Sequence, residues 1–118
     1  MIRLITPSDL LRVTTGSAVA VDVHVSFTDR SGAAKETPGR PHTLITTATT
    51  TPVVAGPGKP LGLRASETVT IRNTDAALAC VVTVIHTDGT TAARLIALSL
   101  PAGYTLQYND GDGWRTLG

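Results

Sequence analysis

An all-β fold, an antiparallel β-sandwich or jelly-roll-like domain of about seven to nine strands, is predicted by three features of the sequence. Threonine and valine dominate, and such β-branched residues lose χ1 freedom in a helix but pack well on a pleated sheet. Residues 18–28 alternate strictly, with Val19, Val21, Val23, Val25 and Phe27 on one face and Ala20, Asp22, His24, Ser26 and Thr28 on the other. Turn chemistry then recurs through the second half of the chain at spacings that suit short strands.

The elements follow in order. After the alternating strand, Asp29-Arg30-Ser31-Gly32 reads as a turn. The stretch to Pro41 reads as a loop, because Pro38 and Pro41 lack the amide proton that a ladder needs. His42 to Ala55 is threonine-rich without clean alternation and is expected to form one or two short strands. Gly56-Pro57-Gly58-Lys59-Pro60 reads as a rigid connection. Beyond it, strands are predicted at Glu67 to Asn73, Ala79 to Thr87, Thr91 to Leu100, Tyr104 to Asn109 and Trp114 to Leu117. They are joined through Asn73-Thr74-Asp75-Ala76, Asp88-Gly89, Pro101-Ala102-Gly103 and Asp110-Gly111-Asp112-Gly113. Residues 1–17 are expected as an N-terminal arm or short edge strand, with Pro7-Ser8-Asp9-Leu10-Leu11-Arg12 able to start one helical turn.

The 118 residues suit a single domain, 1–118. Hydrophobic residues make up 42% but aromatics only 3%, so the core must be built from Val, Ile, Leu and Ala, which makes self-association an expected source of extra burial. Ten basic and nine acidic side chains are scattered without the cationic clusters that neutralise phosphates, so no nucleic-acid partner is expected. Cys80 is alone within Ala79-Cys80-Val81-Val82 and reads as a small buried hydrophobe. The N-terminal residues lack the apolar stretch of a signal peptide, and no run of eighteen apolar residues would span a bilayer, so no membrane association is expected.

No catalytic set emerges. Asp22, His24 and Ser26 have the residue types of a nucleophilic triad, but along one strand they stand roughly 6.6 Å apart in succession, about twice hydrogen-bond reach. His42 and His86 lie in other segments and lack a second Cys or an acidic cluster to build a zinc site. Asn109-Asp110-Gly111-Asp112-Gly113 has the composition of a calcium loop, yet the first ligand position would be Tyr108 and the twelfth would fall beyond Gly118. Gly58-Lys59 fails as a phosphate loop, with Val53 where the first glycine belongs and Pro60 where Ser or Thr would meet magnesium. The expectation is a protein that is not an enzyme, with no cofactor and no metal.

Read in order, Val21 to Asp29, Thr37-Pro38-Gly39-Arg40, Ala48 to Val54, Val69 to Asn73, His86 to Thr90 and Leu100 to Tyr108 followed by Gly113-Trp114 carry a resemblance. Together they resemble small virion structural proteins of tailed bacteriophages and prophages. The ending is the most specific part: an apolar strand, an Ala-Gly turn, a Leu-x-Tyr strand and Gly-Trp. Tyr104 departs from the pattern, which would place an acid there.

The resemblance implies a capsid decoration or cement protein bound to the outer capsid surface, assembled in the host cytoplasm and resident in the virion, commonly as a homotrimer. Its partners would be the major capsid protein or another virion protein. A tail fibre, head fibre or tail-adaptor module is the alternative it allows, with host-glycan recognition a function of a different class. Interface candidates are Thr46, Thr49 and Thr51 in the threonine-rich segment and Tyr104, Tyr108 and Trp114 near the C-terminus, the three rings being those on which a glycan would stack.

Overall fold

The alternation of Val21, Val23 and Val25 with Asp22 and His24 is realised as a long interior strand of the larger of two sheets, its valines buried against the second sheet. A computed structural model describes residues 2–31, 35–57 and 63–118. Among them are eleven strands: β1 (Ile2–Leu4), β2 (Leu10–Thr15), β3 (Val21–Ser31), β4 (Lys35–Gly39), β5 (His42–Ile45), β6 (Thr50–Ala55), β7 (Leu63–Asn73), β8 (Cys80–Thr87), β9 (Ala92–Leu100), β10 (Thr105–Asn109) and β11 (Gly113–Leu117). The predicted all-β class holds, and every pairing is antiparallel.

A seven-stranded sheet runs β11-β10-β7-β3-β4, with β1 added to the edge of β7 and β5 to the edge of β3. A four-stranded sheet runs β6-β2-β8-β9 and packs against it as a β-sandwich. Between them lies one aliphatic core: Leu11 and Val13 of β2, Val21, Val23 and Val25 of β3, Val69 and Ile71 of β7, Val82 and Val84 of β8, with Leu4, Leu100 and Leu106 closing its margins. Each such side chain, fully buried, stabilises the fold by about 1.5–3 kcal/mol relative to exposure, which is how a chain poor in aromatics still makes a core.

Bulges tune this packing. On β6 the register slips opposite Leu11 and Arg12, so the consecutive Val53 and Val54 are both buried, which strict alternation would forbid. On β7 the slip opposite Ser26 and Phe27 leaves Glu67 unopposed by β3, and its carbonyl instead accepts the amide of Asp110 at 3.0 Å.

Several expectations change. Asp29 to Ser31 is strand rather than turn, and the presumed loop contains β4, because Pro38 lies on an edge strand where a missing amide costs no interior ladder bond. Residues 27–31 and 35–39 thus form a hairpin, in a molecule measuring 48 × 27 × 20 Å. The threonine-rich segment crosses between sheets, giving β5 to one and β6 to the other. Residues 1–17, expected as an arm or short edge strand, supply β1 and the interior strand β2, and Asp9 closes a turn on the carbonyl of Thr6 instead of a helical turn. Gly32 and residues 58–60 of the predicted turn and connection lie outside the described residues.

Candidate assembly surface

The two sheets present unlike faces to solvent. On the seven-stranded sheet, the cross-strand rows read Leu44, Asp22, Arg72, Thr105, Leu117; His42, His24, Thr70, Gln107, Arg115; and Ser26, Thr68, Asn109. Its middle is a grid of hydrogen-bonding side chains, with exposed Leu44 and Leu117 at the two margins, and His42 Nε2 stands 3.7 Å from Asp22 Oδ1. Asp22 therefore meets His42 across β5, not His24 along its own strand.

The four-stranded sheet has a different outer face. Leu10, Arg12 and Thr14 of β2 alternate with buried Leu11, Val13 and Thr15, while Val81, Thr83 and Ile85 of β8 alternate with buried Val82 and Val84. In register they form rows, Thr50, Thr14, Thr83, Ala97 and then Pro52, Arg12, Ile85, Arg94, with Val81 opposite Ser99. Val81 is 52% exposed and Leu95, carried outward by a bulge in β9, is 37% exposed. Strand β9 is also an edge, a row of backbone donors and acceptors that no other strand among the described residues pairs with, and it has no proline to block pairing.

Two cations are the only formal charges on the strands of this sheet, Arg12 and Arg94. The Nε of Arg12 is buried and has no hydrogen-bond partner among the described residues. Such a group ordinarily costs about 1–3 kcal/mol until something accepts its proton.

The sequence-derived candidates fall into two groups on different parts of the sandwich. Thr46 and Thr49 are exposed in the β5–β6 connection and Thr51 is half-buried on β6, all near the edge where β6 packs on β3 and β5. That connection is fixed by Thr15, whose amide donates to Thr49 O at 2.9 Å and whose hydroxyl donates to Thr47 O at 2.7 Å. Tyr104, Tyr108 and Trp114 belong to the opposite end of the sheet order, around β10 and β11. Tyr108 and Trp114 face each other with ring centroids 5.0 Å apart at 46° and are half-buried against the core, whereas Tyr104 is 41% exposed beside Gly118. Burial, and then the charge of Asp110, push the Tyr108 phenol upward from its usual range. Of the three rings, Tyr104 is exposed, and Tyr108 and Trp114 are half-buried.

Concavities occur elsewhere. Clefts of about 510 and 390 Å³ adjoin at Phe27 and Arg40, under the hairpin. Their groups are largely committed: Arg64 makes a two-pronged pair with Asp29 at 2.7 and 2.9 Å, donates to Ala55 O, and lies 4.2 Å over the Phe27 ring, while Glu67 accepts from Thr28. Among the described residues no group of three or more His, Cys, Asp or Glu is arranged to hold a metal ion.

The sequence signal for the apolar face was present but outweighed. The sequence places Val81 and Ile85 on the Ala79 to Thr87 strand but does not say which side of it the partner sheet covers. Compared with protein families, curated proteins and solved structures, the chain matches none.

Proposed function

We propose that this chain is a non-enzymatic structural protein of a tailed-phage or prophage virion, a decoration subunit that binds the outer capsid surface and joins neighbouring shell subunits. The observation that supports this reading is the outer face of the four-stranded sheet, where Val81, Ile85, Leu95 and Ala97 lie exposed or half-exposed beside the free edge of β9. Apolar surface of this kind is a marker of protein contact when it is contiguous. The mode of action is mass action: a ligand that binds only the assembled shell stabilises that shell in proportion to its occupancy and affinity. Homotrimer formation belongs to the same proposal, with β11, an edge strand of the seven-stranded sheet, at the contact between copies.

The deciding experiment is proteomics of purified particles combined with a density map that locates the chain. Added to particles lacking it, the protein is expected to sediment with them and raise their disruption temperature. A chain found on the tail would replace decoration with a fibre or adaptor role, and a chain absent from particles would end the proposal.

A further inference from the structure

The strands β2, β6, β8 and β9 contain two arginines and no aspartate or glutamate, whereas Asp22, Asp29, Glu36 and Glu67 all lie on strands of the other sheet. The carboxylates closest in sequence to the arginine-bearing sheet are already engaged. Asp9 is buried and accepts from the Ile5 amide at 2.7 Å and the Thr6 hydroxyl at 2.8 Å, and Asp88 accepts from the amides of Thr90 and Thr91 at 2.9 and 2.7 Å. Arg12 therefore sits among Pro52, Ile85 and Arg94 with a buried Nε that finds no acceptor among the described residues.

Resting on the functional reading above, we infer that this face docks on a different protein whose surface presents a carboxylate, from Asp or Glu, set among apolar side chains, and that Arg12 and Arg94 grip that carboxylate. A guanidinium flanked by apolar surface is suited to this, since its planar fork meets a carboxylate through two parallel hydrogen bonds and desolvation strengthens both. A second copy is the wrong occupant. Two such faces stacked together would bring Arg12 and Arg94 against their counterparts with no acid between them, and like charges at close range are repelled.

Size fixes the regime. Four strands about 4.8 Å apart, rising ~3.3 Å per residue over about eight residues, span roughly 14 × 26 Å. That is about half of the ~800 Å² per partner of a standard interface. One contact would be weak, and occupancy would come from repeated contacts by linked copies on a periodic shell.

The test uses particles produced in a host that supplies the chain with p-benzoylphenylalanine at Val81, at Ala97 or, on the outer face of the other sheet, at Thr70. Irradiation and mass spectrometry are expected to give cross-links from positions 81 and 97 to one virion protein, within a peptide containing Asp or Glu, and none from position 70. In parallel, Arg12→Glu should lower particle occupancy at least tenfold and the exposed Arg94→Glu several-fold, with Leu44→Glu on the opposite face unchanged. A melting curve on each purified variant separates lost docking from lost fold. Replacing the cross-linked acid by Arg should restore occupancy to Arg12→Glu. Cross-links from positions 81 and 97 to another copy of the chain, cross-links from position 70 alone, or full occupancy of Arg94→Glu and Arg12→Glu would each overturn this inference while leaving the virion reading intact. Absence of the chain from particles would overturn both.

Discussion

The side-chain amide of Asn73 donates to the carbonyl of Leu100 at 3.0 Å, joining the end of β7 in one sheet to the end of β9 in the other. The same amide donates to Leu78 O at 2.8 Å, and its oxygen accepts the amide of Asp75 at 3.0 Å. Its backbone completes the junction, donating to Tyr104 O and accepting from Gly103, which takes a φ of +77° that L side chains rarely adopt. One fully buried side chain therefore closes three connections at one end of the sandwich.

Asn73→Ala should accordingly be among the most damaging single substitutions. It strands two carbonyls and an amide near the core, each worth about 1–3 kcal/mol when left unsatisfied and buried. Partial access of water to the Leu78 and Asp75 ends reduces the sum, so a loss of about 3 kcal/mol is expected, read from urea denaturation. A variant within 0.5 kcal/mol of the parent, as an order-of-magnitude threshold for an ordinary surface change, would show that the junction closes without Asn73.

Acid should loosen the opposite end. Burial alone would raise the pKa of Asp9, but the Ile5 amide, the Thr6 hydroxyl and amide, and His86, whose Nε2 lies 3.8 Å from Oδ2, together hold the carboxyl below its ordinary 3.8. A carboxyl whose folded pKa is depressed contributes stability above its unfolded pKa and loses it as pH falls through the folded value. Denaturation midpoints should thus drop below the ordinary carboxylate range, and Asp9→Asn should flatten that drop while costing stability at neutral pH. Parallel pH profiles for the two proteins would contradict the assignment.

How much of this was legible depended on whether the information was local. Val21, Val23 and Val25 declared their strand because one face is buried along its length, and Asp88-Gly89 declared its turn because Gly89 needs a φ of +96°. Strand β4 was hidden, since Pro38 reads as a breaker unless the strand is known to lie at an edge. The short strands expected within His42 to Ala55 are β5 and β6, and Val53 and Val54 blurred the alternation of β6 through a bulge that sequence periodicity does not encode. The assembly surface was less legible still. Val81 and Ile85 become significant only when sheet order shows that nothing in the described chain covers them, and Arg12 only when its Nε is found without an acceptor.

The turn between β1 and β2 is packed tightly enough to be tested by one methyl group. A Cβ at Gly56 would collide with the carbonyl oxygen of Thr6 and stand 2.9 Å from that of Asp9, both backbone atoms of the turn that carries Asp9. Gly56→Ala must displace this turn, so it should cost about 1–3 kcal/mol, the usual range for overpacking. The loss should shrink in Asp9→Asn, whose turn is already less firmly held, and a double-mutant cycle measures that coupling. Strict additivity would indicate that Gly56 and Asp9 act on separate structure.

Trp114 distinguishes a structural ring from a ligand-binding one. It packs on Tyr108 and on the margin of the core, at the strand pair β10–β11 that ends the larger sheet. Removing the ring should therefore lower stability by about 2–3 kcal/mol, somewhat less than the ~3–5 kcal/mol of a fully buried aromatic, because Trp114 is only half-buried. Glycan binding predicts a different pattern, in which Trp114→Ala and Tyr108→Ala fold normally and lose retention on an immobilised sugar that the parent binds. The expected outcome is a lowered melting temperature in both variants and no sugar retained by the parent. A parent that binds sugar, paired with variants of unchanged stability that do not, would move the functional surface from the four-stranded sheet to β10 and β11.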